Sequence, residues 1–126
     1  MKTYLHEKYQ NLSIVAKENK TAYSTSNPFP NIHFENFFNP IFLDAVVDEF
    51  PDLSSKKSNE FNDKKHKKLT GIGERFFGPN TKLLMHYLNS EPFLKFIQEL
   101  TEIKEPLIGD PYFIGGGQHE IKKMVY

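Results

Sequence analysis

A histidine and a glutamate stand two positions apart in His33-Phe34-Glu35, the one His-x-acid spacing in the chain. Residues two apart on a strand point to the same side, so this pair could offer a nitrogen and a carboxylate oxygen to one metal ion. A third ligand would have to come from His86 or His119. Nothing in the sequence fixes either histidine opposite the pair, so a structural role for His33 is favoured over a metal site.

A second group of candidate residues lies in Gly115-Gly116-Gly117-Gln118-His119-Glu120. Adjacent residues of a strand point to opposite faces, so His119 and Glu120 cannot chelate one metal ion together. His119 could line a pocket or make a hydrogen bond in the core, and the second role is slightly favoured. The three glycines could cradle a phosphate, but no helix start follows them. A tight turn or a bulge explains them better.

Six lysines between Lys56 and Lys68 could attract nucleic acid electrostatically. Apart from Phe61, however, this segment has no aromatic residue on which a base could stack. The polar composition of residues 52–70 therefore favours a long solvated loop, with a strand near Lys67 to Gly71.

The composition limits the classes of protein that fit the chain. Its 126 residues suffice for one domain with a real core. The 16 basic and 16 acidic residues balance, so no net charge attracts the chain to nucleic acid or acidic lipid. The absence of cysteine excludes disulfides and thiolate metal sites and suits a cytoplasmic protein. No apolar run approaches the roughly 18 residues that a membrane span requires.

Hydrophobic spacing predicts the elements that must position these residues. Residues 4–18 have apolar side chains at helical intervals, residues 19–27 are a polar loop, and the segment around Ile32 to Glu35 suits a short strand. A second helix over residues 40–50 has Asn39 as its N-cap and Pro40 in its first turn.

Two further helices are predicted from Asn80 to Leu88 and over residues 91–101, joined by a tight corner. The helices over 40–50 and 91–101 should pack together because both have an apolar face with a 3.6-residue period. The side chains expected to be buried there are Val46, Val47, Phe93, Phe96, Ile97 and Leu100. Tyr112 to Ile114 is predicted to be a strand, and a second strand should begin after the glycines.

Several segments occur in an order that resembles the 2-oxoglutarate/Fe(II)-dependent oxygenases, specifically their prolyl-hydroxylase-like branch. In chain order they are Pro28-Phe29-Pro30 with Ile32 to Phe38, residues 40–51 ending in Glu49-Phe50-Pro51, the segment from Leu88-Asn89-Ser90-Glu91-Pro92-Phe93 to Leu100-Thr101, Leu107-Ile108-Gly109-Asp110-Pro111, and Gly115-Gly116-Gly117-Gln118-His119-Glu120-Ile121. The order and spacing of these segments, over about residues 28–123, carry the resemblance.

The resemblance implies an α+β fold: support helices plus the first strands of an incomplete double-stranded β-helix, or jelly roll. Eight such strands with their turns need roughly 75 residues, which the chain after Pro111 does not supply. The family's iron is held by a His-x-Asp pair and a distal histidine, and a basic residue binds 2-oxoglutarate. No such residues follow Lys123.

We therefore expect an N-terminal helix and linker over residues 1–27 and the N-terminal portion of an oxygenase-like domain over 28–126. The chain would be a truncated or partial dioxygenase that is not catalytic alone, with no catalytic or metal-binding residue and with His119 as the one weak candidate for a cofactor pocket. Fe(II) and 2-oxoglutarate would belong to the complete family member.

The expected partner is a complementing C-terminal fragment or a second copy of the chain, with neither nucleic acid nor membrane. Two alternatives stay open. The first is a non-catalytic binding or interaction module derived from the oxygenase fold. The second, weaker one is a nucleic-acid accessory protein that uses the lysine-rich loop.

Overall fold

The computed structural model describes residues 4–51, 59–62, 67–113 and 117–122. This part of the chain contains the helices α1 (Leu12–Ser24), α2 (Pro40–Asp48), α3 (Pro79–Leu88) and α4 (Glu91–Thr101) and the strands β1 (Asn59–Asn62), β2 (Lys67–Ile72) and β3 (Gly117–Lys122). Two short 3-10 helices, Glu7–Tyr9 and Glu74–Phe76, precede α1 and α3.

The core lies between α1 and α4. Val15 and Ala16 of α1 are buried against Phe96 and Leu100 of α4. Ala16 has no exposed surface, so the two helices meet closely at this small residue. The spacing of Phe96 and Leu100 places both on one face of α4, which is the face that α1 covers.

An aromatic layer extends this core toward the segment between α1 and α2. Phe34 and Phe37 of that segment pack on Phe96, with ring centroids 6.2 and 6.0 Å away. Tyr9 packs on both, and its hydroxyl donates a hydrogen bond to the Glu35 carbonyl oxygen at 3.0 Å. These contacts join the N-terminal 3-10 helix, the connecting segment and α4 into one apolar cluster.

The three strands form one small antiparallel sheet in the order β1-β2-β3. Asn59 pairs with Thr70 in the β1–β2 ladder, and Thr70 pairs with His119 in the β2–β3 ladder. Because α3 and α4 intervene between β2 and β3, the chain returns to the sheet only after completing the helical part.

The predicted fold class, α+β with the first strands of an incomplete jelly roll, is wrong. The described residues are mostly helical, and their strands form the small sheet above. The aromatic segments that suggested strands pack on helices instead. Ile32 to Phe34 is irregular and Glu35 begins a turn, while Tyr112 lies in another turn and Ile114 is outside the described residues.

Phe113 shows why the second of these segments is not a strand. Its φ is 52° and its N–H donates to the Asp110 carbonyl oxygen at 3.3 Å, which closes a turn. Its side chain is buried beside the rings of Phe77 and His86. Burial of the Phe113 side chain against the helical part therefore determines the backbone conformation of this segment. The β propensity of its aromatic residues does not.

The helix predictions are correct in part. The α2, α3 and α4 helices occur where they are predicted, and the Asn39 side chain accepts a hydrogen bond from the Ile41 N–H at 3.0 Å. The first helix is misplaced, because α1 begins at Leu12 and continues to Ser24 through residues predicted to be a loop. The strand predicted near Lys67 to Gly71 is confirmed as β2. The predicted loop over residues 52–70 also contains β1, and its other residues lie outside the described part.

The predicted packing partner of α2 is also wrong. Helix α2 packs chiefly on α3, whereas α4 packs chiefly on α1. Phe96 and Leu100 are buried as predicted, but Val47 is 64% exposed. The other three side chains predicted to be buried, Val46, Phe93 and Ile97, are half-buried. No helix within the described ranges is long and apolar enough to cross a membrane.

Candidate functional site

The structure does not bring the candidate metal ligands together. His33 lies in an irregular segment and Glu35 lies in a turn, so the shared strand face that would aim both at one ion is missing. His86 lies on α3 and His119 on β3. Among the residues that the structure describes, no three His, Cys, Asp or Glu side chains are grouped so that they could hold a metal ion. This donor set does not fit a facial-triad iron site.

His119 occupies a position in the middle of β3, opposite Thr70 of β2. Its side chain is exposed. The next residue of the strand, Glu120, pairs with Leu69 of β2. The structure thus places the one candidate residue for a cofactor pocket at an exposed position on the small sheet.

His86 has a different partner from those that the sequence suggests. Its Nε2 lies 2.5 Å from Oε1 of Glu74, which belongs to the 3-10 helix before α3. Its ring packs edge-on against Phe113 with centroids 5.0 Å apart. His86, in the last turn of α3, therefore links the preceding 3-10 helix to the segment after α4, which is a structural role.

One concave surface of the described part of the chain is an aromatic groove of about 520 Å³. Three elements form it: the C-terminal half of α1, the segment from Asn31 to Phe38, and α4. The aromatic groove is lined by Tyr23, Asn31, Ile32, His33, Phe34, Phe37, Phe38, Phe93, Phe96, Ile97, Leu100 and Thr101.

The floor of the aromatic groove is continuous with the core. Phe96 and Leu100 are buried beneath it, and Phe37 packs on Phe93 with ring centroids 6.5 Å apart. Most of the other apolar lining residues are half-buried, so each leaves part of its ring or aliphatic side chain facing the groove. The groove is thus an apolar surface that intramolecular packing covers only in part.

Four polar side chains lie in the lining, and two of them already donate hydrogen bonds. The amide of Asn31 donates to the Phe29 carbonyl oxygen at 2.6 Å, and the Thr101 hydroxyl donates to the Ile97 carbonyl oxygen at 2.8 Å. The Tyr23 hydroxyl and the His33 imidazole make no hydrogen bond within the described part of the chain. Both can donate one to a bound molecule.

A charged contact holds α2 against α3 on another side of the molecule. The Glu49 carboxylate accepts hydrogen bonds from the Thr81 N–H and from the Asn80 side-chain amide at the N-terminus of α3. Its Oε1 lies 2.7 Å from the position that a Cβ would occupy at Gly78, so a larger residue there would displace the carboxylate. Glu49 thereby acts as an N-cap supplied from 32 residues away.

These contacts also set the ionisation of Glu49. Desolvation by burial would raise the pKa of the carboxyl group, but the hydrogen bonds from Thr81 and Asn80 stabilise the charged form and outweigh it. The pKa of Glu49 is therefore lowered from its ordinary value of 4.5. The carboxylate is charged at neutral pH, as the positive end of the α3 macrodipole favours.

The segment after α4 is held by side-chain amides of the two paired helices. The Leu107 N–H donates to Oε1 of Gln98 at 3.3 Å, and the Asp110 N–H donates to Oδ1 of Asn89 at 2.6 Å. Gly109 lies so close to Asn89 that a Cβ there would be 2.8 Å from the Asn89 carbonyl oxygen. Between these attachment points the Ile108 side chain is 85% exposed.

Sequence reasoning did not find the aromatic groove. Tyr23 reaches it only because α1 continues through the polar stretch after Asn19, and polar residues carry little signal for helix continuation. A usable signal is the density of aromatic residues between Phe29 and Phe38, which is too high for a short strand with one buried face.

Comparison of the chain with protein-family models, with curated protein sequences and with solved structures gives no match in any of the three.

Proposed function

We propose that this chain is the non-catalytic N-terminal portion of a 2-oxoglutarate/Fe(II)-dependent oxygenase-like protein, with a supporting role in the cytoplasm. The observation that carries the proposal is the ordered set of segments ending in Leu107-Ile108-Gly109-Asp110-Pro111 and Gly115-Gly116-Gly117-Gln118-His119. In the family that they resemble, such segments precede the first iron ligands.

The attachment of Leu107 and Asp110 to α4 and to the end of α3 supports this role. Two side-chain amides, from Gln98 and Asn89, fix the backbone of the segment from which the iron-binding part would follow. Paired helices that hold such a segment in place would position that part without supplying a ligand themselves.

Iron and 2-oxoglutarate enter this proposal only through a further polypeptide. The described residues offer no convergent set of three metal ligands, and three protein ligands on one face of the ion are what this chemistry requires. The complementing polypeptide, either a C-terminal fragment or a continuation of the same protein, would provide the His-x-Asp pair, the distal histidine and the cosubstrate-binding residue.

A direct test measures succinate. The chain is incubated anaerobically with Fe(II) and 2-oxoglutarate, oxygen is admitted, and succinate is quantified against a protein-free control. We expect no succinate above the control. Stoichiometric iron binding that is abolished by His33→Ala, together with succinate release, would refute the non-catalytic assignment.

The oxygenase relationship itself has a separate test. The DNA that follows the codon for Tyr126 is sequenced and examined for a reading frame that encodes Gly-Gly-x-Leu-x-x-His-x-Asp. We expect such a frame, and we expect that joining it to this chain in one protein restores iron-dependent succinate formation. If the frame is absent, the second candidate is favoured: a non-catalytic binding module that uses the aromatic groove.

A further inference from the structure

We propose that the aromatic groove binds a small molecule with an apolar body and a single carboxylate or carbonyl head group.

The apolar body follows from the walls and the size of the groove. Phe34, Phe93 and Ile97 are half-buried and line the groove together with other aromatic and aliphatic side chains. A volume of about 520 Å³ lies within the range of natural small-molecule sites. A ligand of this size would remove apolar surface from water on both partners, which is the main driving force for association with such a site.

The head group follows from the polar groups that the lining leaves available. Tyr23 and His33 are donors without a partner in the described structure, whereas Asn31 and Thr101 already donate to backbone oxygens. A carboxylate or carbonyl oxygen could accept from either of these donors.

Charge places the head group at the edge of the groove. The twelve lining residues include no Asp, Glu, Lys or Arg. A charged group deep in the groove would therefore be desolvated without an ionic partner, which is costly. An anionic head group at the edge of the groove meets the His33 imidazole and stays partly in water.

The first experiment uses the unaltered protein and a homologous series of probes: hexanoate, octanoate and decanoate, each below its micelle concentration. Amide ¹H–¹⁵N correlation spectra follow each titration. We expect saturable shifts concentrated in residues 31–38 and 93–101. Each methylene buried should tighten the dissociation constant by up to about fourfold, the factor that corresponds to 0.8 kcal/mol. Shifts that do not saturate, or an affinity that is independent of chain length, would overturn the proposal.

The second experiment tests the head group. The double variant Tyr23→Phe/His33→Ala should weaken octanoate binding by about tenfold or more, as expected for lost hydrogen bonds to a charged group. It should change the affinity for 1-octanol, which has the same body and no carboxylate, by much less. Tyr112→Phe is the matched control, because Tyr112 is 75% exposed and lies outside the lining. Equal losses for both ligands, or for the control, would contradict the assigned head group.

A third measurement separates a ligand from a second copy of the chain. Sedimentation velocity is recorded over a hundredfold range of protein concentration, with and without decanoate. We expect the same sedimentation coefficient throughout. A concentration-dependent dimer that decanoate dissociates would show that the groove is covered by another copy and would overturn the proposal. None of these readouts involves iron or succinate, so failure here leaves the proposed function to its own tests.

Discussion

Replacement of Phe96 by alanine is the most direct test of the core. Phe96 is 3% exposed and belongs to the buried cluster between α1 and α4. Its ring also packs on Phe34, Phe37 and Phe93, at centroid distances of 6.2, 6.0 and 5.7 Å. The substitution therefore removes both the helix–helix contact and the base of the aromatic layer.

The expected cost is about 3–5 kcal/mol in the free energy of unfolding, as for other fully buried phenylalanines. Natural domains of this size are stable by about 5–15 kcal/mol in total, so the variant should lose a large part of its stability. With a urea m-value of about 2 kcal/mol/M, the unfolding midpoint should fall by about 1.5–2.5 M.

Urea unfolding followed by circular dichroism at 222 nm measures this shift, because most of the ordered structure is helical. Phe29→Ala is the matched control, since Phe29 is the same residue type and is 64% exposed. The control should lose less than about 0.5 kcal/mol. A loss below about 1 kcal/mol for Phe96→Ala, or equal losses for the two variants, would show that the packing of α1 on α4 is wrongly assigned.

Three further predictions follow from other parts of the structure. Glu49→Ala should lower the free energy of unfolding by about 1 kcal/mol, because α3 loses its cap. The Cβ of Gly78→Ala would displace the Glu49 carboxylate, so this substitution should be destabilising only while Glu49 is present. Additive losses in a double-mutant cycle, measured by urea unfolding, would contradict this coupling. The pKa of Glu49 is lowered in the folded state, so the stability that its charge contributes is present above the ordinary pKa of 4.5 and is lost as the pH falls through the folded value. The difference in the free energy of unfolding between the unaltered protein and Glu49→Gln should therefore shrink on acidification. A difference that is constant from pH 7 to pH 3 would refute this expectation. The lysines between 56 and 68 should give the protein no specific affinity for nucleic acid. This expectation would be contradicted by sub-micromolar, salt-sensitive binding of single-stranded DNA that is lost when four lysines are changed to serine: Lys64, Lys65, Lys67 and Lys68.

Local signals in the sequence were sufficient for three of the four α-helices in the described part of the chain. Asn39 followed by Pro40 marks the start of α2, and Pro92 marks the first turn of α4. The spacing of Phe96 and Leu100 identifies the buried face of α4. Each of these signals acts within a few residues, through a cap, a fixed φ or a shared helix face, so a single sequence contains all the information that they need.

The choice of packing partners could not be predicted in the same way. Helix α2 has apolar residues on more than one side, and both Val46 and Val47 fitted the predicted stripe. In the structure Phe42 is the buried side chain of α2, with its ring against Tyr4. Glu49 at the end of α2 contacts α3, whereas Val47 remains 64% exposed. Residues separated by about thirty positions decide this, and hydrophobic periodicity carries no information about such pairs.

The aromatic groove illustrates the same limit for a functional site. The chain has twelve phenylalanines and six tyrosines, and their number alone suggests only a core. Whether a ring completes the core or lines a groove depends on the last turn of α1, which brings Tyr23 beside the segment that contains His33. The two free donors and the partly covered rings become one site only when these elements meet, so the ligand class could be proposed from the folded chain and not from its sequence.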